Sequence, residues 1–279
     1  MFIPTVSAIL LAQALFCDAA VDANTPAAII GTYNVTFAIV GVPSTLAYSL
    51  VPAKYRDANA ILPPDPTLFP ALETGELPVF LELGREADAG PPLLNFANFQ
   101  EAKIEVPNVK RLDNSPAPFL YKRRVVLVRD LLAWLTVLSR LIAVDSFITK
   151  IGSLFQFGLN TTEEIFVPVN SSNAPNHDYT ISNILDATFE EIPEEDAAYP
   201  LSTYQSIGSQ PWFAEYLTCA QHFYNFTSLT ETKFLSGSVT LYPPYAGPGV
   251  AEPVSFRAHA VRGIYDFKIV GPLACELFV

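Results

Sequence analysis

The sequence predicts a mostly-β fold of the α+β class, one domain over residues 21–279 with a few flanking helices. Three observations carry this expectation. Apolar, β-branched runs of strand length recur between glycine and proline breaks, at 28–48, Val79–Leu83, Lys103–Val106 and Phe119–Val128. Prolines 63, 64, 66, 70 and 78 exclude regular helix from 57–78, which reads as a surface excursion. The best helical period lies at 130–153, with Leu131, Leu135, Leu138, Ile142 and Phe147 near one face and Asp130 as its N-cap. With 279 residues, half of them hydrophobic, the chain can bury a sizeable core.

The elements follow in chain order. Residues 1–20, MFIPTVSAILLAQALFCDAA, have the length and apolarity of a signal peptide followed by small residues, although the n-region lacks Lys and Arg; a buried N-terminal helix is the other reading. The run from Ala28 to Tyr48, broken at Gly31, Gly41 and Pro43, predicts one or two strands leading to a helical turn at Ser44–Leu50. After the strands and the 130–153 helix come a polar loop at 170–176 and an acidic turn around Pro193. A helical stretch containing Trp212 is expected next, then closing strands from Ser236–Tyr242 onward. The apolar run 125–148 is interrupted by Arg129, Asp130, Arg140 and Asp145, so it reads as core rather than a membrane span.

A net charge of −12, with no basic cluster beyond Arg123-Arg124, makes nucleic acid a poor partner. Removal of Cys17 with a signal peptide leaves an even pair, Cys219 and Cys275, for which a single disulfide is expected, with two reduced thiols as the alternative. Sequons at Asn34, Asn160, Asn170 and Asn225 fit the same secreted or luminal location as glycosylation sites, Asn34 being the one that strand burial could block.

Chemistry concentrates between Leu77 and Tyr121. Glu82 and Glu101 sit inside otherwise apolar strand-like runs, LPVFLELGREAD and NFQEAKIEVPNVKRL, where burial penalises a charge that is neither paired nor functional. Two readings stand side by side: pocket carboxylates, or buried ion pairs with Arg85, Lys103 or Arg140. Lys103, two residues after Glu101, shares its strand face and can serve as counter-charge or amine.

The F-x-E pattern of Phe80-Leu81-Glu82, the second acid at Gln100-Glu101, and the closing GIYDFKIVGPLAC resemble the acetoacetate decarboxylase-like superfamily. The resemblance implies a cone-shaped antiparallel β-barrel around a polar dead-end pocket, with Glu82 and Glu101 facing that pocket. It also implies a lysine that forms a Schiff base with a keto acid. Such an amine must be neutral to attack, which desolvation or a neighbouring cation brings about. The family arginine that precedes this lysine by seven residues is matched by Arg140. The seventh residue on is Phe147, however, and the nearest lysine is Lys150, followed by Ile151 instead of a second lysine. The family's first-strand arginine is also replaced by apolar residues near Gly41 and Val42. With one additional helical turn after Arg140, Lys150 is the candidate nucleophile, Glu82 and Glu101 its acid–base partners, and Arg140, Phe80, Phe99 and Trp134 the substrate-binding lining; without that turn Lys150 is a solvated helix-end lysine.

Other chemistries lack their residues. His177, His222 and His259 have no metal-ligand spacing, and no nucleophile elbow, P-loop or dinucleotide glycine motif occurs, so neither a metal nor a cofactor is implied. The expected activity is a cofactor-independent, decarboxylase-like lyase acting on a keto acid or related carbonyl metabolite. The alternative is a non-catalytic secreted barrel that binds an apolar small molecule. Either leaves a homo-oligomer open.

Overall fold

The computed structural model describes residues 20–56, 60–92, 95, 97–127, 155–157, 176–181, 183–214, 218–227 and 229–279. Trp134, Arg140, Lys150, Asn160, Asn170 and the expected 130–153 helix lie outside the described residues.

Among the described residues, eleven strands join in one sheet. They are β1 (Ile29–Pro43), β2 (Glu76–Gly90), β3 (Ala97–Lys110), β4 (Pro118–Leu127), β5 (Phe155–Phe157), β6 (Asn176–Ile181), β7 (Leu185–Ile192), β8 (Trp212–Phe213), β9 (Thr218–Asn225), β10 (Lys233–Leu241) and β11 (Val254–Ala274). Seven of them close a ring, β1–β2–β3–β4–β8–β9–β11 and back to β1. The expectation of an all-antiparallel arrangement needs correction. β4 pairs in parallel with both β5 and β8, because β8 is reached through a long connection and not a hairpin.

The 21-residue β11 serves two neighbours on one side. Its first part pairs with β10, and its later part pairs with β9. The branch β10–β7–β6 covers the outer face of the ring, where Tyr179 on β6 meets Thr36 on β1 at 2.5 Å between hydroxyls. Side-chain alternation along β1, β2 and β3 thus feeds two cores. Ala38, Val40, Leu81, Leu83, Ala102 and Ile104 face the outer one. Tyr33, Val35, Phe37, Ile39 and Phe80 face the ring interior.

Among the described residues two α-helices flank the sheet. α1 (Ser44–Leu50) buries Leu46, Ala47 and Leu50, takes a backbone bond from the Ser44 N–H to the Gly75 carbonyl, and stops at extended Val51 before Pro52. α2 (Leu201–Gly208) puts Tyr204 and Ile207 into the interior cluster. The helix expected around Trp212 ends earlier, at Gly208. Pro211 has no N–H to continue it, and Trp212 itself is in β8. The proline-rich 57–78 stretch contains no helix among its described residues, yet it is more than a surface excursion. Phe69 is buried in the interior cluster, and the Leu68 carbonyl accepts a hydrogen bond from Thr203 of α2 at 2.7 Å.

Cys219 on β9 and Cys275, just past β11, form the expected disulfide. Among the described residues no helix is long and apolar enough to cross a membrane. Asn34 and Asn225 are exposed, so strand burial does not block Asn34: it lies on the outward face of β1.

Candidate active site in the ring interior

Antiparallel register brings the acids together. Glu82 on β2 stands opposite Lys103 on β3, Gly84 opposite Glu101, Phe80 opposite Glu105, and Glu86 opposite Phe99. With a side-chain period of two, residues 80, 82, 84 and 86 of β2 and 99, 101, 103 and 105 of β3 all face inward. Glycine is required at 84, since a Cβ there would fall 2.2 Å from the Asn34 carbonyl oxygen and 2.9 Å from the Tyr33 ring. The lack of a side chain lets β1 approach and carry Tyr33 and Phe37 over the charges.

Lys103 is the hub. Its Nζ donates to Glu82 Oε2 at 2.6 Å and lies 2.6 Å from Glu101 Oε1. The second contact is off the hydrogen-bonding direction and is an ion pair only. The ammonium also sits 5.0 Å from the centre of the Tyr33 ring. From the far side of the ring, Tyr224 on β9 donates its hydroxyl to the same Glu82 oxygen at 3.1 Å. Since β9 and β2 are not neighbours, this bond crosses the interior.

A second pair completes the cluster. Lys122 on β4 donates to Glu105 Oε1 at 2.5 Å and lies 4.8 Å from the centre of the Trp212 ring. His222 packs on Trp212 and stacks on Tyr224. Glu82, Lys103 and Glu105 are 1%, 4% and 0% exposed, so this is a charged group inside the protein and not at its surface.

Burial and neighbouring charges give Glu82, Glu86 and Glu105 different states. Burial works against charge on Glu82, but the Lys103 and Lys122 ammoniums and two hydrogen bonds outweigh it and hold its pKa below the ordinary range. Glu86 goes the other way. Burial, then the Glu101 charge, pushes its carboxyl well up, and it hydrogen-bonds Glu101. Burial, followed by the Glu82 charge, raises Glu105 to about 8 against the pull of Lys122 and Lys103. Burial disfavours the Lys103 ammonium, but Glu101 and Glu82 more than offset this and keep its pKa well above the ordinary value. His222 is held neutral by burial and by the two lysines. With protons on Glu86 and Glu105, two carboxylates and two ammoniums remain, and the buried group is formally neutral.

The structure therefore brings Glu82, Glu101, Phe80 and Phe99 to one interior, with Lys103 as the ion-pair partner of both acids. Arg85 is not that partner; it is exposed on the outward face of β2. Sequence reasoning missed Glu86, Glu105, Lys122, Tyr224 and Trp212 as members of the site. For Glu86 and Glu105 a signal existed, because each continues the period-two series of Glu82 or Lys103. Among the described residues no three His, Cys, Asp or Glu side chains form a metal-ligand group.

Fold and site together define a mostly-β protein whose closed strand ring encloses a mixed-charge acid–base cluster walled by aromatic rings. No family model matches the chain, and no curated protein matches it. Among solved structures it is similar to the enduracididine biosynthesis enzyme MppR complexed with pyruvate, at 12% identity and TM-score 0.48 over 90% of this chain and 91% of that one. The same enzyme with HEPES buffer bound gives 12% identity and TM-score 0.46 over 91% and 90%. Its complex with the condensation product of pyruvate and imidazole 4-carboxaldehyde gives 13% and 0.44 over 90% of each chain.

Proposed function

We propose that this chain is a cofactor-independent lyase of the acetoacetate decarboxylase type, acting on a keto acid or related carbonyl metabolite inside the ring. The observation that carries the proposal is the buried Glu82–Lys103–Glu101 group with the proton-holding Glu86 beside it. Such a group can orient a polar substrate and exchange protons with it in a site that is largely shielded from water. The nucleophile in this reading is Lys150. Phe155, five residues further along the chain, pairs with Val125, which pairs with Lys103. Five residues span at most about 18 Å.

The chemistry balances without a cofactor. The neutral Lys150 amine adds to the carbonyl carbon of a 3-oxo acid, Glu86 gives up a proton and water leaves, so an iminium forms. The bond to the carboxylate carbon then breaks, its electrons enter the iminium, and carbon dioxide departs. Glu86, recharged with a proton from solvent, protonates the resulting enamine carbon; water then hydrolyses the iminium to ketone and neutral amine, and the proton released goes back to Glu86. Lys103 cannot take the nucleophile's place, since its flanking carboxylates keep it an ammonium.

That same trapping of Lys103 favours a second reading, a non-catalytic ring that binds an apolar metabolite against Phe37, Phe80 and Tyr224. Borohydride reduction in the presence of a keto-acid panel separates the two. A mass adduct on Lys150 that disappears in folded Lys150→Ala supports the lyase, whereas folded protein with no adduct on any lysine refutes it. The disulfide is compatible with an extracellular or luminal location. We place the protein there, with glycans on the exposed Asn34 and Asn225.

A further inference from the structure

We infer that Lys122, Glu105 and Trp212 form a carboxylate-recognition subsite, which makes the ring selective for acids over their neutral esters. The inference rests on the ring interior being the ligand site proposed above, and it assigns the substrate's charged end to a place separate from the Glu82–Lys103–Glu101 group.

Glu105 and Trp212 both lie next to the Lys122 ammonium. Glu105 is fully buried, and its Oε1 is taken by the Lys122 ammonium at 2.5 Å, while its Oε2 is buried with no hydrogen-bond partner among the described residues. The Trp212 Nε1–H is likewise buried and unpartnered among the described residues, although the ring it belongs to sits 4.8 Å from the same ammonium. Buried polar atoms without partners are uncommon and call for a reason. A carboxyl whose Oε1 accepts from a lysine carries its proton on Oε2, so this oxygen is a donor. An ammonium, an O–H and an N–H together match the acceptor-only oxygens of a carboxylate. They offer little to an ester, whose two oxygens are weak acceptors with no charge. Trp212 is only half-buried and belongs to the two-residue strand β8, so the subsite lies close to the protein surface.

The proton on Glu105 gives the subsite a pH limit. Glu105 faces Glu82 from β2, Lys103 from its own strand, Lys122 from β4 and Tyr224 from β9. Its carboxyl titrates at about 8, and once ionised it repels a second carboxylate and competes for Lys122.

The test is isothermal titration calorimetry of the full chain with 2-oxobutanoate and with its methyl ester. At about pH 6.5 the acid is expected to bind at least about 10-fold more tightly than the ester, since hydrogen bonds to charged groups are worth that factor or more. The preference should shrink as pH rises past about 8. It should vanish in the Lys122→Met/Glu105→Gln double variant, which removes the ammonium and the titrating carboxyl together. In Trp212→Phe, which keeps an aromatic ring but loses the N–H and part of the ring surface, the acid-over-ester preference should fall about 2- to 10-fold. Should the double variant fail to fold, judged by circular dichroism, Trp212→Phe and the pH series decide alone. An acid preference unchanged in the folded variants overturns the inference, as does failure of the acid to bind at all. Trapping on Lys150 with the preference intact in the variants would keep the lyase and discard this subsite; loss of the preference without trapping would do the reverse.

Discussion

Replacing Glu105 with glutamine should abolish a fall in stability that the wild-type protein undergoes between mildly acidic and mildly alkaline pH. In the folded protein the Glu105 carboxyl is pushed up to about 8 from the ordinary 4.5, first by burial and then by the Glu82 charge. Between those two values the folded chain holds a proton that the unfolded chain has released, so stability declines as pH rises through this window and levels off above it. At about 1.4 kcal/mol per pH unit, the interval from 4.5 to about 8 amounts to about 5 kcal/mol at full expression. Side-chain exposure of 0% means that solvent screening does not reduce this figure. Glutamine mimics the protonated acid, still accepts from Lys122 and does not titrate. Glu82 and Glu86 titrate in both proteins and cancel to first order in the comparison. Urea denaturation of wild type and Glu105→Gln, each with the disulfide intact, should give similar free energies near pH 5 and a variant advantage that grows to several kcal/mol by about pH 9. A difference that stays constant within about 0.5 kcal/mol across that range, or shrinks, would refute the reasoning.

Three further outcomes follow from the geometry. Lys103→Met removes the only cation within 2.6 Å of both Glu82 and Glu101 among the described residues and should cost about 3–5 kcal/mol at pH 7, less at pH 4, by denaturant titration. Gly84→Ala would place a Cβ 2.2 Å from the Asn34 carbonyl oxygen and should destabilise by more than about 3 kcal/mol, with loss of amide-exchange protection along the β1–β2 pairing. Cys219→Ser/Cys275→Ser opens a covalent loop of 56 residues and should lower stability by about 4 kcal/mol, measured against the oxidised wild type.

The coarser features were legible because they depend on patterns that burial imposes locally. Alternation of apolar residues revealed β1 to β4, and a charge inside such a run marked Glu82 and Glu101 as members of a paired or functional group. Parity identified the cysteine pair, since removal of Cys17 left two. What the chain did not reveal depends on distant partners. Lys122 meets Glu105 because the β3–β4 register shifts between Ile104 and Glu105, and no local rule marks that shift. Trp212 looked helical because the apolar residues before it belong to α2, and its two-residue strand is too short to show a period of its own. Tyr224 reaches Glu82 only because the ring closes. Glu86 and Glu105 are a different case, since the period-two series that contains them was present and was followed too briefly.

The two-residue strand β8 makes the shortest joints of the ring among the described residues. Every other joint of the ring is a longer ladder, while β8 contributes two residue pairs to β4 and one to β9. Supports stand on both sides of it: Gln210 and Asn108 hold one another just before the strand, and the disulfide ties β9 to the chain's end just after it. The ring is thus a wall with one narrow panel, framed at its edges, whose inner surface carries Trp212. In the subsite inferred above, Trp212 thus stands at the joint of the ring that has the fewest residue pairs among the described residues.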